Sequence, residues 1–223
     1  MDGFKLFASS FNTIELPYNT VILNSNDKII SISKGKKLDR ADCLKYFYQG
    51  DVEKIQYKFV VYQMEEGNVV EQGIKDYNYF PVCKHLFQNH TGLFYIKSGM
   101  YETKCYLSLF TNDGFQKDTL IVNNKIGDNE YSFVPASFIE NNRVIVFNYE
   151  SNPEFLEKVK KITGKETIPR TIITILTFSI NDTLGKFEFI DQKKQFSQCS
   201  VDEIASKEDK CKEDDPMSSL PLR

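Results

Sequence analysis

The chain has no tryptophan and two histidines, His85 and His90, so any imidazole chemistry must use one of those two. Cys83-Lys84-His85 is the one close cysteine–histidine pairing. Residues two apart on a strand point the same way with their backbones roughly 6 to 7 Å apart, which is too far for a nucleophile and its base. A buried thiol beside a surface imidazole is the favoured reading. Phosphate-loop and dinucleotide motifs are also missing, because Gly92 and Gly99 stand alone and Gly164-Lys165 ends a predicted helix instead of opening one. No second CxxC or HxxxH element completes a four-ligand metal set. The carboxylate pairs Glu65-Glu66 and Asp214-Asp215 fall in a turn and in the tail, where solvated charge explains them. The sequence therefore assigns no catalytic residue, no metal ligand and no cofactor.

Long apolar runs are lacking as well. The opening residues MDGFKLFASSFNTIEL have neither the cationic start nor the uninterrupted apolar stretch of a secretory signal, and no window reaches membrane-spanning length. An intracellular protein is the expectation. The cysteines Cys43, Cys83, Cys105, Cys199 and Cys211 are odd in number and scattered, which fits reduced thiols better than a disulfide framework. In that setting the glycosylation patterns at Asn89-His90-Thr91 and Asn181-Asp182-Thr183 are chance matches. Basic excess is absent too. The segment 201–223 carries seven acids and four bases, leaving the preceding 200 residues with 24 of each, and a formally neutral body argues against a large nonspecific nucleic-acid footprint.

What is present is a globular composition, 41% hydrophobic and 13% aromatic, with strand signals throughout. Tyr18–Leu23 and Lys28–Ser33 read as a hairpin. Asp39 caps a short helix through Tyr48, with Ala41, Leu44, Tyr46 and Phe47 as its inner side and Gly50 as its end. Val52–Met64 reads as a long strand paired with Val69–Ile74. Tyr77–Phe87 and Thr91–Ser98 are strand-like. A two-residue turn at Asp113-Gly114 places Cys105 opposite Val122, Leu107 opposite Leu120 and Leu109 opposite Asp118. The other face then pairs Tyr106 with Ile121, Ser108 with Thr119 and Phe110 with Lys117. Phe133–Glu140 is helix-compatible and Arg143–Tyr149 alternates as a strand. Asn152-Pro153 opens a helix that Gly164 stops, and Arg170–Ile180 is a long strand covered on both faces.

The expected division is a β-rich N-terminal extension over 1–74 packed on the main unit, an OB-fold-like domain over 75–195 and a flexible acidic tail over 196–223. The order strand, Asp-Gly turn, strand, helix, strand, long strand is that of the last four strands of an OB-fold, a five-stranded Greek-key barrel. The fold class is thus mostly β with short helices, an OB-fold barrel or, alternatively, a β-sandwich. Within OB-folds, CYLSLFTNDGFQKDTLIV followed by FVPASFIEN and NRVIVFNY resembles the protein-binding OB domain of the telomere end-binding protein beta family. The resemblance covers about Lys104–Ile180. It implies a noncatalytic, nuclear adaptor at the telomere that recruits telomerase reverse transcriptase through protein surfaces and bridges it to telomeric DNA-binding subunits.

A single-stranded nucleic-acid site needs rings for base stacking and cations for phosphates. Tyr106, Phe110, Lys104 and Lys117 on the mixed face of the Asp-Gly hairpin, with Tyr95 and Lys97, can supply both. The same face can anchor a protein partner instead, and ordinary cross-strand packing with solubilising lysines is the favoured reading. Lys34, Lys36, Lys37 and Arg40 read as a solvated loop.

Overall fold

The computed structural model describes residues 3–19, 36–62, 69–99, 102–126, 136–150, 171–200, 203–204 and 211. Two antiparallel sheets pack face to face, and they form no closed barrel. The first is a meander of β4 (Asn78–Leu86), β5 (Thr91–Ser98), β6 (Glu102–Phe110) and β7 (Gln116–Ile126). The second has the order β1 (Tyr18–Asn19), β8 (Ala136–Glu140), β9 (Arg143–Glu150), β10 (Thr171–Asn181) and β11 (Lys186–Ser197). A separate hairpin pairs β2 (Gln56–Tyr62) with β3 (Val69–Asp76), as its alternating sequence predicts.

Period-two alternation makes these strands and also sorts their side chains. Cys83, Phe94, Ile96, Cys105, Leu107, Leu109 and Val122 of the meander meet Ile139, Val144, Val146 and Ile180 of the second sheet. The other face of the meander, carrying Tyr79, Leu93, Tyr95 and Phe110, lies under two short helices, α1 (Gly3–Ala8) and α2 (Arg40–Tyr46). The other face of the second sheet, carrying Phe138, Phe147, Tyr149 and Ile173, packs on Cys199, Ile204 and Cys211. Both sheets are therefore buried on two sides. This explains why the expected barrel does not form: a barrel strand has one face inside and one outside, whereas β6 and β10 need cover on both. The sandwich alternative is the architecture observed.

The helix at Asp39 forms as read, since Asp39 Oδ1 accepts from the amides of Ala41 and Asp42 at 2.8 and 3.3 Å. Its buried residues are Cys43, Tyr46 and Phe47, while Leu44 is half-buried and Ala41 is exposed. Gly50 ends this segment at φ +93. The predicted strand from Val52 opens as a single 3-10 turn over Val52–Ile55 before β2 begins.

The central register of the β6–β7 hairpin is the one predicted, from Tyr106↔Ile121 to Leu109↔Asp118. Its ends are corrected by two bulges, which pair Phe110 with Gln116 and Cys105 with Asn123. The turn spans five residues, 111–115, with Gly114 at φ +89 and the Thr111 amide donating to the Phe115 carbonyl at 3.0 Å. Residues Ala136–Glu140 form β8 and not the helix expected over Phe133–Glu140. Phe138 and Ile139 are both buried but in different cores, a demand that alternation meets and a helical stripe does not.

The strand predicted at Arg143–Tyr149 forms as β9, and the described part of the one predicted over Arg170–Ile180 lies in β10, with Val144 and Val146 facing the first sheet and Phe147 and Tyr149 facing away. Apart from Tyr18 and Asn19, the predicted hairpin Tyr18–Ser33 lies outside the described residues, as does the helix from Asn152 to Gly164.

The cysteine reading also needs correction. Cys199 and Cys211 are joined by a disulfide with a Cα–Cα distance of 6.0 Å, leaving Cys43, Cys83 and Cys105 as buried free thiols. The bond holds the beginning of the expected flexible tail against the second sheet, where Ile204 and Cys211 are buried. Ser200 and Glu203 form a reciprocal capping box there. The Ser200 amide donates to Glu203 Oε2 at 2.8 Å, and the Glu203 amide donates to Ser200 Oγ at 3.3 Å.

Candidate interaction edge

The six residues proposed from sequence as a binding face are not presented to solvent together. Tyr95 and Phe110 are 3% and 0% exposed. They lie beneath the helices, where the Tyr95 ring stacks on Phe47 at 3.9 Å between centroids and Phe110 meets Phe4 at 5.3 Å. Tyr106 stacks on Tyr95 at 5.3 Å and packs against the same cluster. Burial pushes the Tyr95 phenol well above its ordinary pKa, and its hydroxyl accepts from Ser108 Oγ at 3.3 Å.

Lys97 is committed as well. Its ammonium lies 3.9 Å from the Tyr77 ring centroid and donates to the Lys54 carbonyl at 3.0 Å. Lys104 stands directly across from Lys97. Lys117 is the extra residue of the bulge near the β6–β7 turn, about 20 Å from Lys104 at strand rise. The expected open face is thus a core face, with its cations separated at the two ends.

No catalytic constellation comes together at the reactive residues among those described. His85 Nδ1 lies 3.1 Å from the Ile14 carbonyl and His90 Nδ1 lies 3.1 Å from Asp182 Oδ1. Each histidine bridges strands or turns. Burial raises the Cys43 and Cys83 thiols to about 12, and it raises Cys105 further, so none supplies a thiolate near neutral pH.

The accessible feature is β11, absent from the sequence expectations because a bulge at Ile190 interrupts its alternation. The signal was present in Gly185, at φ +66, followed by Phe187-Glu188-Phe189. β11 is the last strand of its sheet and 12 residues long. The other edges are managed differently. Along β4, the Ile14 amide donates to the Lys84 carbonyl at 2.9 Å, the Lys84 amide donates to Asn12 at 2.8 Å, and the Leu38 amide donates to Tyr79 at 2.8 Å. β1 is two residues long, and β7 touches β11 near the corner where the Phe187 amide donates to Asp118 Oδ2 at 2.9 Å. From Glu188 to Lys194 β11 is paired with β10 on one side, and no strand pairs with its outer side among the described residues.

Its side chains sort unusually. A bulge at Ile190 shifts the register between Phe189↔Phe178 and Asp191↔Thr177. Phe189 and Phe196 consequently share the face of Leu176 and Phe178, the face that turns toward the meander. Yet Phe189, Ile190 and Phe196 are 59%, 56% and 60% exposed. Phe189 rests edge-to-face on Phe178 at 5.7 Å. Lys193 and Asp191 pair at 3.5 Å on the opposite face.

Among the described residues, no helix is long and apolar enough to cross a membrane. No protein-family model matches the chain, and no curated protein or solved structure matches it either.

Proposed function

We propose that the protein is a noncatalytic β-sandwich interaction module that takes an extended segment of a partner protein along β11. One observation carries this reading: a long strand edge, unflanked among the described residues, whose large apolar side chains Phe189, Ile190 and Phe196 remain more than half exposed. Natural edge strands are normally blunted by charge, bulges or short length. β11 has a bulge and two adjacent lysines, but it also keeps aromatic groups whose full burial contributes on the order of 1.5 to 3 kcal/mol each. Strand addition supplies main-chain hydrogen bonds for affinity and side-chain contacts on alternate positions for specificity. The telomerase-adaptor reading rests on the sequence resemblance over about Lys104–Ile180 and is the alternative adaptor proposal, whereas direct nucleic-acid binding needs a Tyr106–Phe110 face that packs in the helix-covered cluster.

The test is selection of peptides from a random display library on the full-length protein, with depletion on the variant carrying Phe189→Asp and Phe196→Asp. The expected outcome is enrichment of extended peptides with alternating apolar residues that bind wild type and not the variant. Enriched peptides that bind both proteins equally would overturn the assignment of β11.

A further inference from the structure

The Cys199–Cys211 locus has more ligand chemistry than a cross-link requires. Both sulfurs and a carboxylate oxygen of Glu203 lie within 4.8 Å of one another. Cys199 and Glu203 are also held by hydrogen bonds separate from the sulfur–sulfur bond. The Cys199 amide donates to Ser197 Oγ at 2.9 Å, and Thr171 Oγ1 donates to the Cys199 carbonyl at 2.7 Å, both buried. Glu203 is held by the capping box with Ser200. Cys211 is 1% exposed and packs with Ile204 against Phe138, Phe147, Tyr149 and Ile173. A Cα–Cα distance of 6.0 Å suits a disulfide, and it also suits two thiolates that each reach a common ion at about 2.3 Å.

We propose that in the reduced protein Cys199, Cys211 and Glu203 form a site for a thiolate-preferring divalent cation of the zinc class, so that one locus is closed covalently when oxidised and by metal when reduced. The conversion balances. A dithiol reductant gives two electrons and two protons to the disulfide and becomes a disulfide itself, leaving two thiols. Binding of the cation then releases those two protons as the sulfurs become thiolates. Two sulfurs and one oxygen give three protein ligands, and water completes a tetrahedron. The apolar surroundings limit competing solvation and strengthen the attraction between cation and thiolate. The free cysteines do not offer a rival set among the described residues, since Cys43 lies in the helix-covered cluster while Cys83 and Cys105 lie between the sheets. Ile204 and Cys211 stay packed on the second sheet in either redox state, which distinguishes this arrangement from a simple reducible latch.

The experiment titrates cobalt(II) into full-length protein that has been reduced, stripped with chelator and kept anaerobic, with circular dichroism confirming retained strand structure. One equivalent should bind with a thiolate-to-cobalt charge-transfer band and tetrahedral d–d bands, and zinc should displace it. Oxidised protein should show neither. Cys199→Ser and Cys211→Ser should abolish the band, and Glu203→Gln, which keeps both sulfurs, should weaken binding at least about tenfold. A folded, reduced wild type without the band would overturn the site. So would a band that survives Cys211→Ser, or binding unchanged by Glu203→Gln.

Discussion

His90 Nδ1 stands 3.1 Å from Asp182 Oδ1, 92 residues apart in sequence, and the contact ties the β4–β5 turn of one sheet to the β10–β11 turn of the other. The second carboxylate oxygen accepts from the Asn89 amide at 2.8 Å and from Asn89 Nδ2 at 3.3 Å. One aspartate therefore satisfies three donors, and His90 is 6% exposed. Asp182→Ala leaves the buried imidazole nitrogen without its acceptor and should destabilise the fold by about 1 to 3 kcal/mol. Chemical denaturation checks this, with an unchanged midpoint as the contrary result.

Three glycines at positive φ separate backbone strain from crowding. Gly50, at φ +93, has nothing within 4 Å of an added Cβ. At Gly114 the added carbon would stand 2.7 Å from Phe4 Cβ, and at Gly185 it would stand 2.5 Å from His90 Nε2. Gly50→Ala should cost about 1 to 2 kcal/mol from the left-handed backbone alone. Gly114→Ala and Gly185→Ala should each cost roughly 1 to 3 kcal/mol more from the contact. Thermal denaturation of the three variants reads the ranking directly.

The buried thiols give the protein an alkaline limit. Desolvation raises Cys43 and Cys83 from 9.0 to about 12 in the fold, and for Cys43 the nearby Asp42 and Asp39 add to it. Below 9.0 the thiols are protonated in both folded and unfolded chains, so their contribution is fully present there. Between 9.0 and about 12 the unfolded chain loses protons that the fold retains, and stability falls as pH rises. Equilibrium unfolding across that window should show the decline. Alkylation of native protein at pH 8 should leave all three free thiols largely unmodified.

Cys199 and Cys211 are 12 residues apart, and closing a loop of that size restricts the unfolded chain by about 3 kcal/mol. Reduction in the presence of chelator should lower stability by that order. The readout is the denaturation midpoint, and loss of near-ultraviolet signal from Tyr149 and its neighbours should accompany release of the segment. An unchanged midpoint would mean that Ile204 and the capping box hold the segment without the cross-link.

Local chemistry made much of the fold legible. Turn and capping preferences identify Asp39 and the Asp113-Gly114 pair; Asp39 does cap a helix and the Asp-Gly pair does lie in a turn. The facing of β9 and β10 followed from alternation, which is intrinsic to the strand. The covering of strands was not legible. Whether Tyr106 and Phe110 meet solvent depends on Phe4, Phe7 and Phe47 arriving from distant sequence, and no local pattern records that arrival. Phe133–Glu140 has an acceptable helical pattern that pairing with β9 and β1 overrides. Cys199 and Cys211 carry no spacing signature, so only their three-dimensional approach identifies the pair. The candidate edge was hidden differently: the bulge at Ile190 breaks the alternation that would have announced β11.

The central claim, that β11 is the partner-binding element, is tested most directly by residue-resolved amide exchange with and without a selected peptide. Strand addition predicts that the outward-pointing, alternate amides between Glu188 and Lys194 gain protection on binding, because they acquire carbonyl partners, while the β4 edge at Lys84 is unchanged. Protection that instead appears elsewhere, with Glu188–Lys194 unaffected, would contradict the account.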